Sequence, residues 1–353
     1  MAPVLLDQVY RGRHAATIEN DHLRVTVVVE GGHIAEVFDK ATGVNPLWTP
    51  PWVSIEPSAY DPALHDEIYG SGSDARLLAG IMGHNVCLDI FGGPSEEEAA
   101  AGLSAHGDAP IAAFEVSRTD GGLLMQALLP LAEIQFERRI QLCGRGVAVR
   151  ERLTSRCGVD RPIAWTQHVT LGPPFLEKGA TTFRASATRS RVFESQFGVA
   201  DYLEQGVDFD WPYAPRAGGG SVDLRVYTSH PASSAYTAHV MNGHDRAAYF
   251  VAFSPRRRLA FGYVWRPSDF PWMGIWEENH SRTAVPWNGG TLTRGMEFGV
   301  SPFPEGRRAT VDRGRLFGVP TYRWLPANAS VEADYRIVLH TADTIPDALD
   351  WPA

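Results

Sequence analysis

The chain has 353 residues, of which 44% are hydrophobic, so it can bury a substantial core and is neither a disordered nor a fibrous protein. With 32 Lys and Arg against 41 Asp and Glu, its formal net charge is −9, which disfavours nucleic acid as a partner because neutralising phosphates needs a basic surface. Its three cysteines are too few for a disulfide framework, so we expect a cytoplasmic protein with free thiols.

Alternation of apolar and polar residues predicts antiparallel strands along most of the chain. A clear turn signal is Asp120-Gly121, a dipeptide that readily adopts the positive φ angles of a tight hairpin. The strands are predicted at residues 22–27, 33–38, 112–117, 123–129, 134–142, 147–153, 163–171, 236–241, 247–253, 259–265, 291–300 and 333–340. The apolar stretch 123–134 is too short to cross a membrane, and the apolar residues 4–6 are too few for a signal peptide.

Helices are predicted to be few. Residues 95–101 begin with Ser95 as N-cap and three glutamates in the first turn, and residues 75–81 are a second candidate. Predicted strands are not separated by long helical crossovers, so a parallel α/β sheet is disfavoured. We therefore predict an all-β fold, a large antiparallel β-sandwich with a few short helices, as a single domain over residues 1–353.

Motifs of nucleotide-binding proteins, α/β-hydrolases and zinc peptidases are absent from the sequence. His84 and Cys87 have the spacing of a partial metal site but lack a second close pair, so we predict no metal and interpret Cys87 as a core residue. The acidic group formed by Asp61, His65, Asp66 and Glu67 is predicted to be a polar loop rather than a site for a hard cation. We expect no cofactor.

Two histidines stand where proton transfer is conceivable. His106 precedes a glycine and is followed by Pro110, which places it on a turn. In the strand predicted over residues 163–171, alternation puts Gln167 on one face and His168 on the other, where Thr166 and Thr170 make the face polar. Such a polar face suits a ligand-binding sheet surface, although a hydrogen-bonded core histidine gives the same pattern.

A carboxylate completes this set. Glu297 lies between the large apolar residues Met296 and Phe298, and a carboxylate is rarely interior without a partner or a purpose. Burial there would raise its affinity for a proton. The simpler alternative is an ion pair with Arg294 at a sheet edge.

Tryptophans cluster near this carboxylate in the sequence. A flat indole ring stacks on the C–H face of a sugar, while nearby carboxylates, amides and guanidinium groups bind the hydroxyls. We expect about half of the following four to line such a site and the others to fill the core: Trp265, Trp272, Trp276 and Trp287.

Taken together, these residues resemble the aldose 1-epimerase (galactose mutarotase-like) superfamily over nearly the whole chain. The resemblance rests on residues 19–25, on 31–34 and 39–43, and on the order of a His-Gly motif at His106, a strand histidine at His168 and the late Glu297. The chain departs from the family where residues 108–110 replace the commoner arginine, and where Gln167 and Val169 flank the second histidine. We therefore expect a divergent member whose substrate the resemblance does not identify.

The resemblance implies a galactose mutarotase-like supersandwich that interconverts the anomers of an aldose. Glu297 would be the base, a protonated His168 the acid at the ring oxygen, and His106 a group that stabilises the developing charge, with base and acid on opposite sides of the sugar. Substrate contacts are expected from Gln167, Arg76, Asp89, Trp276, Glu278 and Arg282. The expected partner is a monosaccharide or a derivative, with no nucleic acid or membrane, and the protein would be a monomer or homodimer.

Two alternatives remain open. The first is a carbohydrate-binding protein without turnover, in which the same groove holds a sugar but the three residues are not aligned. The second is a lyase or glycoside hydrolase on a similar sandwich, which needs a tyrosine and arginine or a pair of carboxylates. Glu277 and Glu278 cannot supply that pair alone, because adjacent strand residues point to opposite faces.

Overall fold

The structure is a computed structural model that describes residues 8–351. Within these residues the chain forms two large antiparallel sheets and only short helices, which confirms the predicted all-β sandwich. The apolar residues 4–6 considered above lie outside the described residues.

The first sheet has twelve strands within the described part of the chain, and it carries the residues of interest. In spatial order its strands are Gln8–Tyr10, Arg13–Glu19, Leu23–Val28, Ile34–Asp39, His84–Asp89, Arg161–Leu171, Leu292–Gly299, Trp272–Asn279, Ser233–Met241, Ala187–Val192 and Asp208–Asp210. Arg323–Leu325 pairs with the beginning of Arg161–Leu171. The central strands thus come from distant parts of the sequence.

The second sheet has eight strands in the described residues. Their spatial order is Thr182–Ala185, Ala248–Ser254, Leu259–Trp265, Ser330–Thr341, Gly146–Ser155, Ile134–Cys143, Gly122–Leu129 and Glu115–Thr119. Two small hairpins complete the strands, one of Tyr213–Pro215 with Ser221–Asp223 and one of Arg315–Leu316 with Val319–Pro320.

The helices are short and lie in the connections. The α-helices are Pro62–Tyr69, Ala75–Gly80, Glu96–Ala100 and Arg307–Arg313, and the 3₁₀ turns are Pro57–Ala59 and Ala109–Ile111. Ser95 caps Glu96–Ala100 as predicted, in a capping box with Glu98. The loop predicted around residues 61–67 is wrong, because Asp61 accepts a hydrogen bond from Ala63 N–H and Pro62 begins a helix there.

The main core lies between the two sheets. It contains apolar side chains from alternate positions of both, including Trp165, Val169, Phe298, Phe261 and Leu339. The next residue along each strand of the first sheet therefore points to the other side, away from the second sheet. That outer face carries a separate cluster of buried aromatic and aliphatic side chains.

Among the described residues, no helix is long and apolar enough to cross a membrane. The three free cysteines differ in exposure, since Cys87 is buried, Cys157 is intermediate and Cys143 is exposed.

Candidate active site

A cavity of about 410 Å³ opens on the outer face of the first sheet. Four strands that are neighbours in the sheet supply its floor, with one side chain each: His168, Glu297, Trp276 and Tyr236. Helix Ala75–Gly80 and the turn that holds His106 form the walls. The predicted trio of His106, His168 and Glu297 therefore lines one cavity, although its members are far apart in the sequence.

His168 and Glu297 are in direct contact. Sheet register explains this contact, because Gln167 pairs with Phe298 and Thr170 pairs with Gly295, which brings His168 opposite Glu297 on the adjacent strand. The His168 Nε2 atom lies 3.1 Å from Glu297 Oε1, and its Nδ1 atom lies 3.1 Å from Thr170 Oγ1. Both side chains are buried, with relative exposures of 5% and 1%.

Burial determines the protonation of this pair. It raises the pKa of Glu297 from 4.5 to about 8, as the sequence predicted, because the charged carboxylate loses its solvation. Burial also lowers the pKa of His168 well below its usual value, with a further contribution from His106. These opposite shifts favour the neutral pair, in which the Glu297 carboxyl O–H donates to His168 Nε2, over the protonated His168 that the resemblance implied.

His106 reaches the cavity from a strained turn. It has φ of +65°, and a Cβ at the following Gly107 would lie 2.0 Å from the Leu88 carbonyl oxygen, so this turn packs tightly on the end of strand His84–Asp89. The His106 ring lies 5.2 Å from the His168 ring, and its Nδ1 atom lies 2.6 Å from the Phe91 carbonyl oxygen.

The chemistry of His106 follows from these contacts. Because a carbonyl oxygen can only accept, Nδ1 must carry the proton of the neutral ring. Burial lowers the pKa of His106 to about 4, so the ring is neutral at physiological pH and its Nε2 atom is an acceptor. His106 is thus suited to accept a hydrogen bond from a ligand hydroxyl.

Aromatic rings and one arginine form another wall of the cavity. Trp276 and Trp287 line it, whereas Trp265 and Trp272 are fully buried in the interior, which is the division that the sequence predicted. The Arg282 guanidinium lies 5.5 Å from the Trp276 ring centre and 4.9 Å from that of Trp287. Partial burial lowers the pKa of Arg282, and Glu278 opposes that shift.

Four predicted substrate contacts do not line the cavity. Gln167 points towards the second sheet, where its amide N–H donates to Glu151 and its oxygen accepts from His84. Asp89 is buried between Arg161 and Arg307. Glu278 accepts hydrogen bonds from the Ser281 hydroxyl and N–H and from Arg282 N–H, and Arg76 is exposed and donates to the Pro57 carbonyl.

Three polar side chains in the cavity were not anticipated, those of Tyr236, Asp74 and Ser73. Tyr236 donates from its hydroxyl to Glu297 Oε2 at 3.2 Å, and Asp74 lies at the rim just before helix Ala75–Gly80. Tyr236 belongs to a strand that the sequence predicted, on the same face as Trp276 with which it pairs. Its position next to Glu297 could not be read from the sequence, because that requires the order of the strands.

No group of three metal-binding side chains is found among residues 8–351. His84 faces the core, where it contacts Gln167 and Tyr263, while Cys87 points to the opposite face of the same strand. The two residues that had the spacing of a partial metal site therefore cannot bind one ion together.

No protein-family model matches this chain, and no curated protein matches it. Solved structures, by contrast, match this chain over most of its length. A Klebsiella pneumoniae protein named as a candidate aldose 1-epimerase is 14% identical with a TM-score of 0.67, over 96% of this chain and 83% of its own. A galactose mutarotase-like protein from Clostridium acetobutylicum is 11% identical with a TM-score of 0.59, over 95% of this chain and 97% of its own.

A galactose mutarotase related enzyme from Lactobacillus acidophilus is also similar, at 16% identity and a TM-score of 0.56, over 94% of this chain and 99% of its own. Identities this low establish the fold and leave the chemistry to the site itself. This chain therefore has the fold of these galactose mutarotase-like proteins.

Proposed function

We propose that this protein is an isomerase of the aldose 1-epimerase type, which interconverts the α and β anomers of an aldose. The observation that carries the proposal is the His168–Glu297 pair, joined at 3.1 Å in the floor of a cavity and adjoined by His106. Solved structures with this fold whose names refer to aldose 1-epimerase or mutarotase support the same reaction class.

The reaction moves one proton between two oxygens of the sugar. The C1 hydroxyl oxygen and the ring oxygen are both bonded to C1, so two groups in contact with each other can reach them both. In this proposal, acid and base therefore stand side by side and not on opposite sides of the sugar, as was expected from the sequence. An adjacent pair that holds one proton is sufficient.

Proton balance follows from the resting state. Transfer of the shared proton across 3.1 Å converts neutral His168 and protonated Glu297 into a histidinium and a carboxylate. Glu297 then takes the proton of the C1 hydroxyl while His168 gives its proton to the ring oxygen, and the ring opens. The pair is again neutral His168 and protonated Glu297, which is the form that closes the ring after rotation about C1–C2.

His106 and the aromatic wall would orient the sugar. The free Nε2 atom of His106 accepts from a sugar hydroxyl near the reacting centre, while Trp276 or Trp287 offers a flat apolar surface to a C–H face. Arg282 offers donors to further hydroxyls. Each acid or base contribution is worth about 10²–10⁴-fold in rate.

Anomer exchange measured by NMR tests the proposal directly. A panel of neutral, acidic and phosphorylated aldoses is mixed with the purified protein, and the exchange rate is compared with buffer, with Glu297→Gln and with His168→Asn. We expect acceleration for at least one aldose and its loss in both variants. Acceleration that survives both substitutions, or none for any aldose, would contradict the assignment.

A carbohydrate-binding protein without turnover is the second candidate, and it is favoured by the large apolar part of the lining: Leu77, Leu78, Ile81, Phe91, Phe197, Trp287 and Pro304. Binding of a sugar without faster exchange would support it. A lyase or hydrolase has less support, because neither neighbouring carboxylate faces the cavity. Glu277 points to the core and accepts a hydrogen bond from the Ser233 hydroxyl, and Glu278 accepts one from the Ser281 hydroxyl. An unsaturated or shortened product from an oligosaccharide would support that class.

A further inference from the structure

A series of hydrogen bonds joins side chains from three of the four neighbouring strands of the cavity floor. The Tyr236 hydroxyl donates to Glu297 Oε2 at 3.2 Å, Glu297 Oε1 lies 3.1 Å from His168 Nε2, and His168 Nδ1 lies 3.1 Å from Thr170 Oγ1. Every contact in this series is buried, and its two outer members are hydroxyl groups. The proton shared by His168 and Glu297 therefore sits between two hydrogen-bonding partners that do not ionise near neutral pH.

Two glycines make room for this arrangement. Gly274 lies directly opposite Glu297 on the neighbouring strand, and a Cβ there would lie 2.0 Å from the Tyr236 hydroxyl oxygen. Gly295 lies two residues before Glu297 on the same strand, and a Cβ there would lie 2.6 Å from Glu297 Oε1. Any larger residue at either position would displace one of the two hydrogen-bonded oxygens.

The Tyr236 ring is held in place by aromatic packing. Its centre lies 6.3 Å from Phe91, 6.3 Å from Phe193 and 5.2 Å from Phe197, and its side chain is almost fully buried. Loss of the hydroxyl alone would leave these contacts intact. The hydroxyl therefore has a fixed direction towards Glu297.

We propose that Tyr236 is a positioning residue for the reaction, which fixes the Glu297 carboxyl group and sets the division of the shared proton between Glu297 and His168. The inference rests on the proposed function for its catalytic meaning, but its physical content concerns Glu297 alone. Gly274 would serve the same purpose by leaving space for the Tyr236 hydroxyl.

Electrostatics support this role. Burial raises the pKa of Tyr236 well above its usual value, so its hydroxyl stays a donor. The hydrogen bond that it donates favours the carboxylate and thus lowers the pKa of Glu297, in opposition to burial. The other ionisable groups that face Glu297 are His168 and the Cys87 thiol, and Glu305 acts on Tyr236 from the loop before helix Arg307–Arg313.

Tyr236→Phe tests the proposal without reference to activity. The carboxyl stretch of Glu297 is followed by pH-difference infrared spectroscopy, and the band is assigned by its loss in Glu297→Gln. We expect the pKa of Glu297 to rise by about one unit in Tyr236→Phe, because the carboxylate loses a charge-assisted hydrogen bond. Gly274→Ala should shift it in the same direction, by pushing the hydroxyl away.

Tyr227→Phe is the matched control. Tyr227 is buried and its hydroxyl donates to the Thr293 carbonyl at 3.3 Å, away from Glu297, so its loss should leave the Glu297 band unchanged. Unfolding curves check that each variant folds. An unchanged pKa in folded Tyr236→Phe or Gly274→Ala, or an equal shift in Tyr227→Phe, would overturn the proposal.

Kinetics separate this inference from the proposed function. With an aldose that the wild type accepts, Tyr236→Phe should lower kcat roughly tenfold with KM within about twofold, and should move the alkaline limit of kcat/KM upwards by about one pH unit. A fall in activity without that movement would indicate a merely structural role for Tyr236. If no aldose is turned over, the proposed function fails while the infrared shift still decides the role of Tyr236.

Discussion

Gln167 and His168 are consecutive residues of one buried strand, yet they belong to different environments. On the side of the second sheet, Gln167 is part of a polar network in which Glu151 accepts hydrogen bonds from Gln167, Trp165 and Arg138. On the cavity side, His168 contacts a carboxyl group whose proton it can take. A buried polar group with a full set of protein partners stabilises the fold, whereas one that faces a cavity is available for chemistry.

The largest expected effect is a loss of activity when a carboxylate that faces the cavity is replaced, but not when one that faces the core is replaced. Glu297→Gln should lower the anomer exchange rate by about 10²–10⁴, because an amide cannot exchange a proton with the sugar. Glu277→Gln is the matched control, since Glu277 is equally buried on a neighbouring strand but points to the core, where it accepts from the Ser233 hydroxyl at 2.6 Å. NMR exchange measures both, and an equal loss in Glu277→Gln would contradict the division between the two sides.

The converse experiment measures stability. Glu151→Gln leaves the fully buried Arg138 without its charged partner, so the free energy of unfolding should fall by about 3–5 kcal/mol. The exchange rate per folded molecule should stay within a few fold of the wild type. Glu332→Gln breaks an exposed pair with Arg152 in the same sheet and should cost less than about 1 kcal/mol.

Urea unfolding followed by tryptophan fluorescence checks both values. If Glu151→Gln were no more destabilising than Glu332→Gln, the network around Gln167 would not be the stabilising element that its contacts indicate.

The pH profile tests whether the pair works as a unit with one proton. The pKa of Glu297 is raised to about 8, so kcat/KM should be constant below that value and fall about tenfold per pH unit above it, as the pair loses its proton. The profile is measured by NMR exchange with correction for the buffer reaction. A rate that rises through pH 8 would instead mean that Glu297 acts as a lone base.

Ionisation of Glu297 should also change the free energy of unfolding. Because the folded state holds the pKa of Glu297 above its ordinary 4.5, the stability contribution of the protonated group is complete below pH 4.5 and is lost as the pH rises through about 8. Glutamine cannot ionise, so Glu297→Gln should be more stable than the wild type at pH 9, by roughly 1–3 kcal/mol. Denaturation at pH 5 and 9 checks this, and a gain equal at both values would argue against ionisation as the cause.

Much of this molecule could be predicted from its sequence, and the omissions have physical causes. Alternation identified strand Arg161–Leu171 and the face that carries His168, because one face is apolar. Strands His84–Asp89 and Trp272–Asn279 were missing from the predicted strands, because every residue in them is buried and polar residues fall on both faces, so apolar and polar residues do not alternate. The single domain over residues 1–353 stays a prediction.

The candidate site could likewise be predicted only where a local sequence pattern identifies a residue. His106, His168 and Glu297 were found by residue type and order, and Trp276 and Arg282 by local composition. Gln167 and Glu278 were expected to contact the substrate, but the strand sends Gln167 to the face opposite His168, and the turn after Glu278 supplies hydrogen bonds to its carboxylate. The direction of proton sharing needed the distance between two residues 129 positions apart, which no local pattern contains.

Arg282 and Arg76 were both expected to contact the substrate, but only Arg282 lines the cavity. Comparing their substitutions gives the smallest expected effect. Arg282 is partly buried over Trp276 and Trp287 at the cavity wall, so Arg282→Ala should raise KM about tenfold by removing donors and freeing the rings.

Arg76 is exposed, and its Nε atom donates to the Pro57 carbonyl outside the cavity, so Arg76→Ala should leave KM and kcat within about twofold. Both variants are compared by exchange kinetics over a range of aldose concentrations. A tenfold rise of KM in Arg76→Ala together with none in Arg282→Ala would place the sugar on the other side of helix Ala75–Gly80, because Arg76 lies on that helix but does not face the cavity floor.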